Sequence, residues 1–339
     1  MPSRRPAPHS DTDALLRGVS RSFYLSIRLL PEPLRRPVAL AYLLARASDT
    51  VADSAALPVT ERLAALDAFS SAVREAGAAS PAFVADLERI GASCVDDHEA
   101  ELVRRVPDCL GALGQLDAAD AADVRTVLEH ITHGQSLDLR RFTGTSGVQA
   151  LHNAGELDEY TYLVAGCVGE FWTDLAARHL PRFAAKPKDE MRALGRRYGM
   201  GLQLVNIIRD AGSDLRAGRC YFPADELAAQ GLRAPDVLAQ SQRFEPIRQR
   251  WLARASGWLD DGITYALAVE DRRVRAASAL PALIGARTIA LLRAGNAPPF
   301  ERVVKVPRSE VRALLWRMAW SLASRSQLQA AWARMGAAS

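Results

Sequence analysis

Lysine is nearly absent from this 339-residue chain, which has 43 basic residues but only three lysines, Lys186, Lys188 and Lys305. The basic residues are therefore almost all arginines. They are interspersed with acidic residues along most of the sequence, so the formal net charge is only +4. Mixed charge of this kind does not indicate a nucleic acid partner. A mildly basic surface suits an anionic substrate or a loose attachment to anionic lipid, and charge alone does not separate these two interpretations.

Long apolar runs, secretory signals and paired cysteines are also missing. No stretch reaches about 18 uncharged apolar residues, the length that a transmembrane helix needs. The first residues are polar and rich in proline and arginine, so we expect a disordered lead-in over residues 1–12 and no signal peptide. The four cysteines show no metal-ligand spacing and are typical of reduced thiols. We therefore predict a cytoplasmic protein without a membrane anchor, while the amphipathic residues 311–335 leave peripheral membrane association open.

Strand patterns are equally scarce. Alanine, leucine and arginine dominate long stretches in which apolar residues recur every three or four positions. This spacing predicts an all-α fold, with helices over residues 32–53, 59–77, 82–105, 118–138, 158–179, 189–214, 235–270, 273–293 and 308–335. Neither a linker nor a fixed-period repeat divides the chain, so we expect one domain over residues 1–339.

Asp49 and Asp53 form the first of two aspartate pairs with four-residue spacing. With about 100° per residue on a helix, Asp53, Arg46 and Tyr42 fall within roughly 60° of the first acid, so all four share one face. Taken alone, a solvated face with an ion pair explains this pattern about as well. The strongly apolar residues 39–47 favour a functional site, because acids beside a buried surface need a cation.

Asp210 and Asp214 form the second pair and continue a longer row. Gln203 and Asn206 precede them at spacings of three and four, so four oxygen-bearing side chains fall within roughly 80° of helical arc. Apolar residues fill the gaps, which indicates a polar row inside a helical bundle. A satisfied structural network is the alternative, but two acids without a basic member in the row favour metal binding. Mg²⁺ prefers such oxygens and commonly bridges carboxylates to substrate phosphates.

Five segments together resemble the squalene/phytoene synthase family. The two aspartate segments read YLLARASDTVAD at residues 42–53 and GLQLVNIIRDAGSDLRAGRCYFP at residues 201–223. Residues 20–23, SRSF, are similar to the family's Ser-x-Ser-Phe segment, and residues 160–169, YTYLVAGCVG, to its Tyr-x-x-x-Val-Ala-Gly-x-Val-Gly motif. Residues 303–311, VVKVPRSEV, resemble a segment of squalene synthases proper.

The resemblance implies an isoprenoid-synthase helical bundle around a central cavity, with the two aspartate sites facing each other across its mouth. It implies Mg²⁺ ligands at Asp49, Asp53, Asn206, Asp210 and Asp214. It implies diphosphate contacts from Ser20, Ser22, Tyr42, Arg46, Gln203 and Arg209, with Tyr160 at the reacting carbons as the candidate proton acceptor. Val19 departs from the pattern, because some family members carry a histidine there.

Two glycines of the central segment, Gly166 and Gly169, fall inside the helix predicted over residues 158–179. Glycine within a helix costs about 0.5 to 1 kcal/mol relative to alanine, so another group must approach the backbone closely there. An isoprenoid tail and a tightly packed neighbouring helix explain these glycines about equally well, and both interpretations stay open at this point.

The resemblance implies a prenyltransferase and leaves its product open. Two farnesyl diphosphates would give presqualene diphosphate in a Mg²⁺-dependent reaction, and reduction by NADPH would then give squalene. Residues 303–311 favour this branch by resemblance, with Lys305 and Arg308 as candidate NADPH contacts, although no Gly-rich dinucleotide fingerprint accompanies them. Phytoene, dehydrosqualene and hydroxysqualene synthesis are the alternatives within the family. A non-catalytic assembly protein is disfavoured by the retained aspartates, and a terpene cyclase by the central motif and the second symmetric aspartate pair.

Overall fold

Helices dominate the structure, as the apolar spacing predicts. The computed structural model describes residues 9–20, 23–54, 56–75, 79–143, 147–294, 300, 304–320 and 324–336. Over these residues the regular structure consists of helices and one pair of two-residue strands, which confirms the predicted all-α class. The chain groups into two compact units, residues 1–140 with 174–179 and residues 141–173 with 180–339, where the sequence led us to expect one domain.

The first unit is arranged around one central helix. Its helices are α1 (His9–Val19), α2 (Phe23–Leu29), α3 (Glu32–Asp53), α4 (Val59–Arg74), α5 (Pro81–Ser93), α6 (Asp97–Arg104), α7 (Val106–Leu113) and α8 (Ala118–Arg141). The helix α3 begins after Pro31, whose backbone is extended, and has the bounds that its apolar pattern predicts. It contacts α1, α2, α4, α5, α6 and α7. This central position explains why residues 39–47 are so apolar.

Two boundaries in this unit differ from the sequence prediction. The helix α1 begins at His9, inside the segment 1–12 that we expected to be disordered, and residues 1–8 lie outside the described residues. The helix predicted over residues 82–105 is broken into α5 and α6. Asp96 lies at the break, where its side chain accepts hydrogen bonds from two backbone N–H groups in the first turn of α6. Such an N-cap ends one helix and starts another.

The second unit contains the longest helices of the protein. Its helices are α9 (Ala154–Thr161), α10 (Cys167–His179, whose residues 174–179 group with the first unit), α11 (Lys188–Arg216), α12 (Ala224–Ala229), α13 (Ser241–Ala268), α14 (Arg272–Ala294), α15 (Arg308–Trp320) and α16 (Arg325–Gly336). The three long helices α11, α13 and α14 pack on one another. The helix predicted over residues 308–335 spans α15 and α16, and residues 321–323 between them lie outside the described residues.

The helix α14 is the one helix, within the described part of the chain, that is long and apolar enough by composition to cross a membrane. It lies against α11 and α13, and 72% of its most apolar window is buried inside the structure. The core helix of a large bundle has the same composition, because it is surrounded by other helices and is hydrophobic on every side. The burial of α14 is that of a core helix.

Two short strands fix the segment that follows α11. They are β1 (Gln149–Ala150) and β2 (Arg219–Cys220), and they pair in parallel. The chain turns at Gly218, whose φ of 86° favours glycine. The backbone N–H of Gln149 donates to the Gly218 oxygen at 2.9 Å, and that of Leu151 donates to the Cys220 oxygen at 3.1 Å. The residues just after Asp214 are therefore held by backbone hydrogen bonds.

Glycines bring the segment between α9 and α10, and the first turn of α10, very close to α11. This segment, Tyr162–Gly166, is a π-helical turn within the single helix that the sequence predicted. A Cβ on Gly169 would lie 1.9 Å from the backbone oxygen of Gly195, and a Cβ on Gly199 would lie 2.1 Å from that of Ala165. These distances are far below van der Waals contact, so only glycine fits. Tight packing between helices, and not an isoprenoid tail, explains the close approach at Gly169.

Candidate functional site

The helix α3 carries most of the first predicted set on one face. Tyr42, Arg46 and Asp49 follow one another at spacings of four and three, and Asp53 lies one turn further, at the exposed end of the helix. Arg46 Nη1 lies 3.9 Å from Asp49 Oδ2. The predicted grouping of a phenol, a cation and two acids along one helix face is therefore present in the structure.

The N-terminal serine segment meets the same face at Tyr42. The Tyr42 hydroxyl donates to the Val19 oxygen at 3.5 Å, and buried Ser20 is also within hydrogen-bonding distance of it. Burial raises the pKa of Tyr42 above its usual value, and the hydrogen bond with Ser20 opposes this rise. Ser20 Oγ also accepts from the backbone N–H of Tyr24 at 3.1 Å. Of the two predicted serines, Ser20 therefore belongs to the first site, and Ser22 lies outside the described residues.

Arg46 is held by an acid that is not among the predicted site residues. Its Nη2 donates a short hydrogen bond to Oε1 of Glu99, in the first turn of α6. Burial by itself would lower the pKa of Arg46, but the carboxylates of Glu99 and Asp49 raise it. The guanidinium therefore stays charged, and Glu99 occupies donors that a diphosphate would also use. No motif marks Glu99, because it is a plain acidic residue in an acidic helix start.

Asp49 is the most perturbed acid of the first site. Burial raises the pKa of its carboxyl group to about 6. The hydrogen bond from Gln135 and the charge of Arg46 oppose this rise, whereas the neighbouring acids reinforce it. The side chain nevertheless keeps 48% of its surface accessible, so water and ions reach the carboxylate from one side. A desolvated carboxylate with one open side is suited to a cation.

Gln135 of α8 supplies an oxygen beside this carboxylate. Its Nε2 donates to Asp49 Oδ1 at 2.6 Å and to Ser48 Oγ at 3.1 Å. Its Oε1 is buried and has no hydrogen-bond partner. Carboxylates and a bare amide oxygen are the kind of donors that Mg²⁺ prefers, so the residues present fit this ion, with Asp49 and Asp53 as the ligands that would hold it.

The helix α11 carries the second predicted set. Its polar row consists of four half-buried residues, Gln203, Asn206, Asp210 and Asp214. Asn206 Nδ2 donates to Gln203 Oε1 at 3.3 Å. The residues that fill the gaps, among them Leu204, Ile207 and Ile208, are buried, as the apolar pattern predicts. The row is therefore a polar stripe on an otherwise buried helix.

Each acid of this row is paired with an arginine, which corrects our expectation of uncompensated negative charge. Arg209 donates through both Nε and Nη2 to the two carboxylate oxygens of Asp210, with the Nε bond at 2.9 Å. Arg219 Nη2 donates to Asp214 Oδ1 at 2.9 Å. The hydrogen bonds to Asp210 raise the pKa of Arg209. Neither arginine belongs to the row itself, so a helical wheel of the row does not show this pairing.

The described residues contain no group of three or more His, Cys, Asp and Glu side chains placed to hold a metal ion. A magnesium site does not need so many protein ligands. Mg²⁺ keeps several waters and is usually bound by one or two carboxylates together with substrate phosphates. The two aspartate pairs, with an amide oxygen beside each, are consistent with sites of that type.

Tyr160 belongs to a group of three aromatic residues in the second unit. Its ring stacks on that of Tyr221, with centroids 5.0 Å apart and planes 23° apart. Phe142 meets Tyr221 edge-on at 5.2 Å. Tyr221 follows β2 directly and is buried, so the strand pair fixes the partner of Tyr160. Faces of such rings stabilise positive charge. Sequence motifs contain Tyr160 and Tyr221, but they do not indicate that these rings and Phe142 contact one another.

Lys305 lies just before α15 and Arg308 is the first residue of this helix, and both are exposed, so an anionic ligand can reach them. The helix α15 is attached to α14 by an ion pair in which Arg287 Nε donates to Glu310 Oε2 at 2.7 Å. Residue 303, the first of the VVKVPRSEV segment, lies outside the described residues. The pair is therefore accessible and lies at the N-terminal end of an anchored helix.

The comparison with protein families decides the relationship of this chain. The family model described as squalene/phytoene synthase matches residues 16–311. The chain belongs to the squalene/phytoene synthase family. Members of this family are prenyltransferases that act on prenyl diphosphates. Both aspartate pairs and the central tyrosine of this family member lie within the matched range.

Individual relatives include proteins named as phytoene synthases and as squalene synthases. A bifunctional lycopene cyclase/phytoene synthase of Phaeosphaeria nodorum is 31% identical over 269 residues, which are 77% of this chain and 43% of the relative. Squalene synthase 1 of Arabidopsis thaliana is 25% identical over 309 residues, which are 89% of this chain and 70% of the relative. This family member therefore spans less than half the length of the bifunctional relatives that it matches.

Solved structures share the fold of this squalene/phytoene synthase family member. The structure of TcSQS with the ligand BPH1237 has a TM-score of 0.75 at 22% identity and covers 97% of this chain and 91% of its own. A dehydrosqualene synthase in complex with a ligand has a TM-score of 0.65 at 19% identity and covers 92% and 95%. The predicted isoprenoid-synthase fold class is confirmed.

Proposed function

We propose that this protein is a Mg²⁺-dependent prenyltransferase that joins two farnesyl diphosphates head to head into presqualene diphosphate and, with NADPH, reduces this to squalene. The observation that carries the proposal is the polar row of α11, where two amides and two acids share a helix face and each acid is paired with an arginine. Oxygen ligands and arginines are the groups that a diphosphate leaving group requires. Family membership supports the same type of reaction.

The arginines of both sites bind carboxylates in the structure and would bind the substrate diphosphates in this proposal. Arg209 and Arg219 bind Asp210 and Asp214, and Arg46 binds Glu99. A diphosphate offers the same arrangement of anionic oxygens as these carboxylates, so substrate can draw the guanidinium groups away from them. Mg²⁺, when bound, would stabilise the negative charge that develops on the departing diphosphate.

The reaction begins when the allylic C–O bond breaks and its electron pair leaves with the diphosphate. The double bond of the second substrate attacks the resulting cation, and loss of a proton closes a cyclopropane ring. Tyr160, stacked on Tyr221, is positioned to stabilise positive charge with its ring face, and it is the candidate proton acceptor together with the released diphosphate. The arrangement of the two aspartate sites across a cavity remains a prediction from the family resemblance.

Product analysis tests the proposed function. Purified protein is incubated with Mg²⁺ and farnesyl diphosphate, with and without NADPH, and the extracted products are identified by mass spectrometry. We expect presqualene diphosphate without NADPH and squalene with it. If hydroxysqualene or presqualene diphosphate forms both with and without NADPH, the protein catalyses only part of this series of reactions. Absence of any product from farnesyl and geranylgeranyl diphosphate would refute the enzymatic proposal and favour an assembly protein.

Phytoene synthesis is the second candidate. The observation that favours it is the 31% identity to a bifunctional lycopene cyclase/phytoene synthase, against 25% to a squalene synthase over a longer part of the chain. Condensation of two geranylgeranyl diphosphates without reduction would then be the reaction. The same assay separates the two candidates, because phytoene would form only from geranylgeranyl diphosphate and independently of NADPH.

Lys305 and Arg308 are proposed to bind the phosphate of NADPH. Replacing both by alanine should raise the KM for NADPH by at least about tenfold, since even one charge-assisted hydrogen bond contributes about 1.5 to 3 kcal/mol. Formation of presqualene diphosphate without NADPH should not change. Arg312→Ala, an exposed arginine on the same helix, is the matched control. An unchanged KM for NADPH in the double variant would remove the pair from consideration.

We also propose that the protein works in the cytoplasm and attaches peripherally to membranes. Trp316 of α15 has 72% of its surface exposed, and Arg308 and Arg312 are exposed on the same helix. An exposed tryptophan beside arginines is typical of helices that rest on anionic lipid. Trp316→Ala should therefore lower co-sedimentation with anionic vesicles at least about twofold. Equal sedimentation of both proteins would contradict the membrane proposal.

A further inference from the structure

The helix α8 presents a glutamine to the first aspartate pair from a buried helix face. Gln135 is 8% exposed, and Leu128 and Ile131 precede it on that face at spacings of three and four. A polar side chain among such neighbours lowers stability unless its hydrogen bonds are made. The sequence therefore keeps an amide in a place where packing alone would favour an apolar residue.

The partners of Gln135 fix which way its amide points. An ionised carboxylate only accepts hydrogen bonds, so the NH₂ group and not the oxygen must face Asp49. The two amide hydrogens go to Asp49 Oδ1 at 2.6 Å and to Ser48 Oγ at 3.1 Å. The Ser48 hydroxyl donates in turn to the Ala45 oxygen at 2.8 Å. Every donor in this series of hydrogen bonds is used. Within the series, only Gln135 Oε1 is buried without a partner.

The unpaired oxygen lies close to the carboxylate that Gln135 holds. The oxygen and nitrogen of a carboxamide are about 2.2 Å apart by ordinary bond lengths, which places Oε1 within about 5 Å of Asp49 Oδ1. A buried acceptor without a donor is unfavourable by about 1 to 3 kcal/mol. A Mg²⁺ ion keeps several waters, and each of these is a hydrogen-bond donor. An ion at Asp49 would therefore bring the donor that Oε1 lacks.

We propose that Gln135 is a positioning residue of the first metal site, which fixes the orientation of the Asp49 carboxylate and offers Oε1 to an ion-bound water. The inference rests on the proposed function, because it takes the metal role of Asp49 from there. Groups that orient a metal ligand in this way typically change metal affinity by about 10–100-fold when they are removed. Neither the spacing of the aspartates nor the central motif involves residue 135.

The test measures Mn²⁺ binding in the presence of inorganic pyrophosphate, with free Mn²⁺ followed by electron paramagnetic resonance. Gln135→Met keeps most of the side-chain volume and removes the amide, and it should weaken binding by about 10–100-fold. In an Asp49→Asn background, which itself should bind Mn²⁺ more weakly, the Gln135→Met change should add nothing, because the two residues act as one unit.

Thr132→Val is the matched control. Thr132 is buried one turn before Gln135 on the same helix, and its hydroxyl lies 2.9 Å from that of Ser70. This variant loses a buried hydrogen bond of α8 without touching Asp49, so its Mn²⁺ affinity should equal that of the wild type. Circular dichroism checks folding. If Gln135→Met does not fold, Gln135→Asn replaces it with the same expectation, because one methylene less breaks the 2.6 Å contact.

Turnover supplies a readout that a general packing defect would not give. The half-saturating Mg²⁺ concentration should rise in Gln135→Met, while the KM for farnesyl diphosphate at saturating Mg²⁺ stays near the wild-type value. Equal Mn²⁺ affinity in wild type and Gln135→Met overturns the inference, and so does an equal loss in Thr132→Val. If the wild type forms prenyl products and Gln135→Met has the same Mn²⁺ affinity as the wild type, this inference alone is refuted. A wild type that forms no product and binds no Mn²⁺ refutes the proposed function.

Discussion

Asp210→Asn should lower turnover by about 10²–10³-fold or more, because it removes a carboxylate charge that would hold the Mg²⁺ at the departing diphosphate and leaves the side-chain volume nearly unchanged. Arg209 would lose its bidentate partner, but its side chain is 31% exposed and can be solvated. The melting temperature should therefore stay within a few degrees of the wild type. Asp49→Asn should have an effect of the same size, since it removes the corresponding charge of the first site.

Asp261→Asn is the control for this experiment. Asp261 of α13 accepts from Arg197 Nε of α11 at 2.6 Å, so this variant also breaks an acid–arginine pair on α11. It lies outside the polar row and should keep turnover near the wild-type value. Full product formation by Asp210→Asn, or an equal loss in Asp261→Asn, would show that the row is structural. Steady-state turnover at saturating Mg²⁺ and farnesyl diphosphate provides the measurement.

Gly169→Ala should lower the free energy of unfolding by more than about 3 kcal/mol or prevent folding. The new Cβ would lie 1.9 Å from the Gly195 oxygen, and backbone on a packed helix cannot yield as a flexible side chain can. The start of α10 and α11 would have to separate. This would also move Tyr160, which precedes the π-helical turn, away from its present place. Thermal unfolding followed by circular dichroism measures the loss.

Gly257→Ala, in the same unit, is the matched control for Gly169→Ala. Gly257 lies within α13, and a Cβ there would meet nothing within 4 Å. Alanine should therefore stabilise the helix by about 0.5 to 1 kcal/mol. Opposite signs for the two glycine variants are the expected result. A melting temperature of Gly169→Ala within a few degrees of the wild type would mean that the helices can move apart at little cost.

The sequence predicted the structure best where the polar residues of a helix all lie on one face. The bounds of α3 and the polar row of α11 followed from apolar spacing, because both helices are buried around a single polar stripe. The break before α6 was missed, although Asp96 is an ordinary N-cap, because apolar spacing continues across it. Gly169 was recognised as a close approach, but only the structure shows that α11 is the neighbour.

The partners of the site residues could not be predicted from the sequence, for a physical reason. Glu99 and Gln135 lie 53 and 86 residues away from the α3 residues that they bind, so no local spacing connects them. One signal for Gln135 is present in the sequence, because it shares a helix face with the apolar residues Leu128 and Ile131. A polar side chain buried on such a face needs a hydrogen-bond partner. Arg209 and Arg219 are close in sequence to the acids that they pair with, but a helical wheel of the row leaves them out.

Under the proposed function, the acid–arginine pairs of α11 would make folding of the nascent chain independent of the supply of metal. Two uncompensated acids on a buried helix would repel each other until an ion arrived, and the helix would pack poorly during synthesis. With Arg209 and Arg219 in place, the helix is neutralised by its own chain. In contrast to small zinc domains that unfold under a chelator, a protein with the proposed function would complete its fold in metal-poor conditions and bind ions afterwards, together with its substrate.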